Sequence, residues 1–339
     1  MSTVLQHDRV APVDRYGRRI DYLRVSVTDR CNLRCVYCMP IEDLVFTPGA
    51  QMLTASEIET VVGSAAEVGF RKVRLTGGEP TLRADIVDIV RRIASIEGIH
   101  DVAMTTNGIL LPRMIDDLVA AGLDRVNLHI DSLDPQRVSR VMRFASIDAI
   151  LAGVAAVERA GLQPIKVNCV VVRGYNDRDV VDLARHAIEN GWRLRFVELM
   201  PLGGGVCADL SHDRFVSTRQ TQDRIEAALG RLAPLPPAYP SDEARDYRVG
   251  DTGGVIGFIS PVSDPYCGTC NRMRVTADGR FHLCLLNDDE LDVRAVLRSG
   301  GGRAAVRAVL LRAIAQKPTG HRLDRGVSTK HRSMFQIGG

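Results

Sequence analysis

The sequence predicts an α/β fold of six parallel strand–helix units, followed by a smaller C-terminal part of mixed elements. Three observations predict it. The chain has 339 residues, 45% hydrophobic and 25% charged, which is enough to bury a barrel-sized core and leave an extension. Six short runs rich in β-branched residues recur between residues 23 and 200, each followed by apolar residues at helical spacing. Glycines at 122, 161 and 191 close three of those helices. Alternation of this kind gives parallel βα units with right-handed crossovers. No close sequence repeat accompanies it.

Residues 1–20 are polar, end in DRYGRR and read as a loosely tied arm. LRVSVT (23–28) is the first strand, and a helix over 54–68 follows a cysteine group. There Thr54 and Glu57 form a capping box, and Ile58, Val61, Val62 and Ala65 make the apolar stripe. KVRLTG (72–77) is the second strand, followed by a helix from Asp85 to Ile96. DVAMTTN (101–107), RVNLHID (125–131), PIKVNCVVV (164–172) and LRFVELM (194–200) are the next four strands. Helices near 113–121, 146–160 and 179–190 separate them. Then the pattern breaks. Residues 201–217 read as loop, 218–229 as helix, and 233–253 as a Pro-, Gly- and Asp-rich stretch. VIGFIS (255–260) and RMRV (272–275) read as short strands, 291–315 as helix, and the tail from about 317 as polar and basic, ending in Gly338–Gly339. These changes divide the chain into 1–217 and 218–339. The six units admit two architectures, an open doubly wound sheet or an unclosed barrel. Both bind ligands beyond the carboxyl ends of the strands, which predicts one active-site face there.

Composition excludes several classes. With 44 basic and 41 acidic residues the formal charge is +3, which gives no argument for nucleic acid. No run of about 18 apolar residues predicts a membrane helix. The start, MSTVLQHDRV, lacks an apolar signal region, so a cytoplasmic, reducing setting is expected. Eight cysteines in that setting point to metal or redox chemistry and away from disulfides. Cys169 and Cys207 stand alone and read as small core residues. Only Lys72, Lys166, Lys317 and Lys330 are lysines; the other basic residues are arginines.

Cys31, Cys35 and Cys38 form the first group, directly after the first strand. Three thiolates on one short loop hold three irons of a cubane cluster and leave the fourth open, where an amino acid can chelate. A structural zinc needs four ligands, and no His lies nearby in sequence. Cys267, Cys270 and Cys284 form the second group. Here His282 completes a Cys3His zinc set, so spacing alone leaves zinc and iron–sulfur equally open. TGGEP (76–80) is either a plain turn or a close backbone approach to a ligand. Arg24, Arg74, Lys166, Arg195, Arg272 and Arg274 lie in predicted strands, where cations are uncommon unless paired. Converging, they suit a polyphosphate; the plainer reading is ion pairs between neighbouring strands.

With these residues in view, CxxxCxxC with Tyr37 before its last Cys resembles the radical S-adenosylmethionine superfamily. TDRCNLRCVYCMP, LTGGEP, TTNG, VNLHIDSLD, FVELMP, SPVSDPYCGTCNRMR and the terminal Gly-Gly are similar to its GTP 3′,8-cyclase family, the first step of molybdenum-cofactor biosynthesis. The resemblance spans Arg24 to Gly339. It implies an incomplete (β/α)6 TIM-type barrel with a C-terminal extension over its open side. It implies two [4Fe–4S] clusters, on Cys31, Cys35 and Cys38 and on Cys267, Cys270 and Cys284, the second meeting the guanine of GTP. Tyr37, Gly78, His129 and Met200 match contacts to S-adenosylmethionine. Arg24, Arg74, Thr105, Lys166, Arg272 and Arg274 match positions around GTP, and Arg195 a further active-site arginine. The Gly338–Gly339 tail resembles one that enters the active site. At His129 the family usually has Ser. The implied reaction takes the 3′ hydrogen of GTP with a 5′-deoxyadenosyl radical and closes C3′ onto C8. The implied partners are an electron donor such as flavodoxin or ferredoxin, a downstream cyclic pyranopterin monophosphate synthase and a second copy of the chain. A peptide-modifying radical enzyme with an auxiliary cluster and a non-catalytic metal-binding protein are the rival readings.

Overall fold

A computed structural model describes residues 11–42, 44–203, 206–323 and 329–338. Its strands are β1 (Tyr22–Ser26), β2 (Lys72–Thr76), β3 (Asp101–Thr106), β4 (Arg125–His129), β5 (Lys166–Val171), β6 (Arg193–Glu198), β7 (Leu232–Pro234), β8 (Arg245–Val249), β9 (Val255–Ile259), β10 (Arg272–Val275), β11 (Arg280–His282) and β12 (Glu290–Asp292). They form one sheet in the order β12-β11-β10-β1-β2-β3-β4-β5-β6-β9-β8-β7. The six central strands are parallel, as the alternation predicts. The sheet does not close, so the unclosed barrel is the architecture. The C-terminal part lengthens the sheet from both sides. Its β9 pairs parallel with β6, and its β10 parallel with β1, each bringing an antiparallel neighbour.

Helices follow the strands. The first five are α1 (Ala55–Glu67), α2 (Ile86–Ala94), α3 (Ile115–Ala120), α4 (Pro135–Val141) and α5 (Ile147–Arg159). The others are α6 (Val180–Glu189), α7 (Val206–Asp213), α8 (Thr218–Leu229), α9 (Arg294–Arg298), α10 (Gly302–Gln316) and α11 (Met334–Ile337). The capping box at Thr54 and Glu57 is formed. In α2, Ile86, Ile89, Val90 and Ile93 are buried, while Asp88, Arg91 and Arg92 lie on the other side. Each such apolar side chain contributes roughly 1.5–3 kcal/mol by leaving water, so helix and sheet hold each other. Along β1, Leu23 and Val25 join the apolar core, while Tyr22, Arg24 and Ser26 alternate to the other face.

Four expectations change. Residues 206–213 are helical although 201–217 reads as loop, because the segment buries Cys207, whose thiol reaches the carbonyl oxygen of Val36 at 3.6 Å. The Pro- and Gly-rich stretch holds β8, stabilised by its pairing with β9. The single helix of 291–315 is β12 plus two helices, broken at Ser299–Gly301, where Gly300 has φ +80. Residues 11–20 are not loosely tied: Ala11 and Ile20 are buried, and buried Asp14 and Arg18 pair at 2.6 Å.

Candidate active site

The two thiol groups stand at opposite ends of the barrel. Cys31, Cys35 and Cys38 lie in the loop leaving the carboxyl end of β1; Cys267 and Cys270 lie just before the amino end of β10, its parallel neighbour. All six are free thiols. This overturns the expectation of a single face beyond the carboxyl ends. An unclosed barrel has two mouths, and the C-terminal strands bring chemistry to the second.

At the first mouth, the Gly77 and Gly78 backbone seats the cysteine loop. Gly78 N–H donates to Thr28 O and Glu79 N–H to Arg30 O, both at 2.8 Å. A Cβ on Gly77 would stand 2.2 Å from Thr28 O, and Gly77 has φ +141. The glycines are therefore required by the loop itself. We expect Gly77→Ala to cost on the order of 1–3 kcal/mol and to lower the thermal midpoint of the intact protein by several degrees. An unchanged midpoint would show that the loop gives way freely. Buried Glu79 ties the same corner, accepting from Thr81 N–H, the Thr106 hydroxyl at 2.7 Å and Asn107 N–H at 2.8 Å. Asn107 in turn donates to the Asn32 side chain at 2.8 Å.

Tyr37 and His129 meet over buried Asp131. The Tyr37 hydroxyl donates to Asp131 Oδ2 at 2.7 Å, 2.6 Å from His129 Nε2, which lies 2.9 Å from the same carboxylate oxygen. Cys35, His129 and Asp131 present donor atoms all within 4.8 Å of one another. Burial would lower the affinity of His129 for its proton, and the Asp131 charge overturns that and raises it. Burial pushes the Cys31 thiol up to about 11 and the Cys35 and Cys38 thiols higher. Buried thiols without a cationic partner become thiolates on binding metal. That donor set fits an iron–sulfur cluster. Cys169 and Cys207 are buried, as expected of core residues. Met200 packs with Val197, Ala244 and Ile259.

At the second mouth, Cys267, Cys270 and Cys284 line a small cavity with Arg272, Arg274 and Lys317. Burial opposes ionisation of Cys270, but Arg272 and Lys317 pull its thiol down to about 6. Among the described residues, no three of these cysteines and His282 bring donor atoms within 4.8 Å of one another. His282 points elsewhere, to Glu290 at 3.0 Å, with its buried Nε2 unpartnered.

Between the mouths the expected cations converge. Arg274, Arg24 and Arg74 are in register across three adjacent strands, and Arg272, Tyr22 and Lys72 form the next row toward the amino ends. Tyr22, Lys72, Arg74 and Arg272 line a cavity of about 800 Å³ together with Lys166 and Arg195, while Arg274 lines the smaller cavity of the second thiol group. Arg74 donates to the Thr105 hydroxyl at 3.3 Å. Burial and the guanidiniums of Arg125, Arg195 and Arg74 push Lys166 down to about 8. A cavity in which one cation suppresses another is built for an anion. The tail reaches this row of cations: Gly338 is buried, with φ +85, and Arg274 donates to its carbonyl at 2.8 Å. Gly339 lies outside the described residues.

Glu243 is the site residue the sequence does not disclose. Its carboxylate accepts from Arg24 at 2.8 and 2.9 Å and also pairs with Arg272. Burial would raise its proton affinity, and Arg24, Arg272, Arg74 and Arg195 hold it far below the usual carboxylate range. Its stabilisation is therefore present above the ordinary carboxyl value of about 4.3 and fades as pH falls through the depressed one. We expect Glu243→Gln to cost about 1–3 kcal/mol at pH 7, a gap that narrows steadily below pH 4 in thermal unfolding. A constant gap would mean the charge is immaterial.

Residues 25–187 match the family model of the Radical SAM superfamily, and 192–323 that of Molybdenum Cofactor Synthesis C. Solved structures of Streptococcus suis SuiB share the fold, with TM-scores of 0.60 and 0.58 at 14% and 16% identity. They cover 88% and 94% of this chain and 66% and 77% of theirs; the second is bound to S-adenosylmethionine. An unclosed barrel with a three-cysteine loop after its first strand thus defines a radical S-adenosylmethionine protein, a class that carries a [4Fe–4S] cluster and S-adenosylmethionine. GTP 3′,8-cyclase of Pelotomaculum thermopropionicum is 43% identical over 96% of this chain and 99% of its own length. That of Heliobacterium modesticaldum is 42% identical over 96% and 100%. The chain belongs to the GTP 3′,8-cyclase family. No helix among the described residues is long and apolar enough to cross a membrane.

Proposed function

We propose that this chain converts GTP to 3′,8-cyclo-7,8-dihydro-GTP, the first step of molybdenum-cofactor biosynthesis. One observation supports the reading: one three-thiol loop leaves the carboxyl end of β1, a second thiol group lies at the amino end of its parallel neighbour β10, and strand cations lie between them. A cofactor at one mouth and a nucleotide base at the other would bring sugar and cofactor together inside.

In this reading Cys31, Cys35 and Cys38 hold the cluster that binds S-adenosylmethionine, and Tyr37, Gly78, His129 and Met200 contact that cofactor. Cys267, Cys270 and Cys284 hold a second [4Fe–4S] cluster. When bound, the first cluster and S-adenosylmethionine supply the one-electron cleavage that removes hydrogen from C3′. The chain's own residues do the rest. Arg24, Arg74, Thr105, Lys166, Arg272 and Arg274 anchor the triphosphate and fix C3′ and C8 in attack distance. The tail ending at buried Gly338 narrows the carboxyl mouth and keeps water from the reacting carbons. The division into 1–217 and 218–339 then separates the cofactor half from the half that holds the base. A flavodoxin- or ferredoxin-type donor, a homodimer, a cytoplasmic setting and a downstream cyclic pyranopterin monophosphate synthase complete the reading.

Isotope transfer tests it. GTP carrying deuterium at C3′ should yield deuterated 5′-deoxyadenosine in step with GTP consumption. Consumption of GTP with unlabelled 5′-deoxyadenosine would overturn the proposed abstraction.

A further inference from the structure

The second thiol site has a wall that none of the motifs names. Lys317 follows α10 directly and is 3% exposed. Its ammonium donates to Leu283 O at 2.8 Å, the residue beside Cys284, and lines the cavity of the three thiols. Among the described residues no carboxylate lies within ion-pair distance of Lys317. A buried ammonium is rarely kept without a countercharge, because stripping its water costs several kcal/mol.

The rest of this turn is also built against the site. A Cβ on Gly320 would stand 2.9 Å from Cys267 Cβ and 3.0 Å from its sulfur. Arg18 clamps the turn from outside, donating to Cys267 O at 2.9 Å, Thr319 O at 2.9 Å and Pro318 O at 2.6 Å. Asp14 locks Arg18 in turn. The N-terminal arm and the 317–320 turn thus fix one lysine over one set of thiols.

We propose that Lys317 is a positioning residue of the second cluster, its ammonium supplying the fixed positive charge that keeps the cluster seated and raises its reduction potential. The inference rests on the reading that Cys267, Cys270 and Cys284 hold that cluster. An anionic thiolate-bound centre beside a buried cation is easier to reduce, and truncating the cation to an apolar chain of similar length removes that bias.

The test uses anaerobically reconstituted full-length protein, Lys317→Met and Lys317→Arg. It reads iron per chain and the potential of each cluster by redox titration followed by electron paramagnetic resonance. GTP addition marks the second cluster's signal and S-adenosylmethionine the first. Expected are a second cluster in Lys317→Met that is reduced only at lower potential, or is lost, a first cluster that is unchanged, and recovery in Lys317→Arg. Equal potentials in all three proteins at full iron would overturn the inference. So would loss of the second cluster in both variants, which would make the lysine's shape, not its charge, decisive. About four irons in the unaltered protein would instead refute the second cluster itself, and this inference with it.

Discussion

Cys35→Ala should abolish S-adenosylmethionine cleavage and remove the iron held by the first triad, leaving the fold intact. The first triad supplies three thiols, and the two that remain do not fix a cluster with one open iron. The fold survives because the loop is seated by backbone bonds from Gly78 and Glu79 that do not involve the thiol. The thermal midpoint of the metal-free chain should therefore move by no more than a few degrees. Iron analysis and 5′-deoxyadenosine release under reducing conditions check it. Full iron with residual cleavage would mean that another residue replaces Cys35, and nearby Asp131 and His129 would be the first to examine.

Arg274→Ala should weaken GTP binding by on the order of 10- to 100-fold, because a charge-assisted hydrogen bond in a buried site contributes about 1.5–3 kcal/mol. Arg274 is the buried end of the register row with Arg24 and Arg74, and it alone also holds the tail through Gly338. Crowding by Arg24 and Arg272, added to burial, pushes it down to about 9, so it carries its charge at neutral pH but gains from a new anion. The variant should still cleave S-adenosylmethionine without GTP, since the first triad is untouched. Equilibrium dialysis with labelled GTP and a count of 5′-deoxyadenosine per product separate the effects. An unchanged GTP affinity would remove Arg274 from the nucleotide site.

Much of this was legible in the chain. Six strands and their helices follow from periodicity, and α1 and α8 begin where Thr54 and Ser217 cap them. Of the six expected GTP residues, Arg74, Lys166 and Arg272 line one cavity, Thr105 meets Arg74, and strand alternation and register put positions 24, 74 and 274 in one row. What was hidden depends on distant pairing. No local pattern says that β10 lies beside β1, so the second mouth was invisible and every site residue was expected on one face. Glu243 sits in a stretch whose composition says only turn, and Lys317 in a tail that reads as solvated. Glu243 acquires meaning from Arg272, 29 residues away, and Arg24, 219 away, and Lys317 from Leu283, 34 residues away, brought to them by the two strand hairpins that flank the central sheet.

The segment between β7 and β8 meets the cavity's cations before any nucleotide does. Glu243 spans Arg24 and Arg272, and Lys72 rests 4.2 Å from the centre of the Tyr239 ring. In the proposed function, nucleotide binding is then an exchange: a triphosphate takes guanidiniums from a tethered carboxylate. Exchange of this kind changes few bound counterions, so affinity for GTP should fall more gently with ionic strength than the number of cations suggests. It also sets a threshold. A lone phosphate offers too little charge to displace a carboxylate held at both ends, whereas three linked phosphates can, so the barrel filters its ligands by chain length before it reads the base.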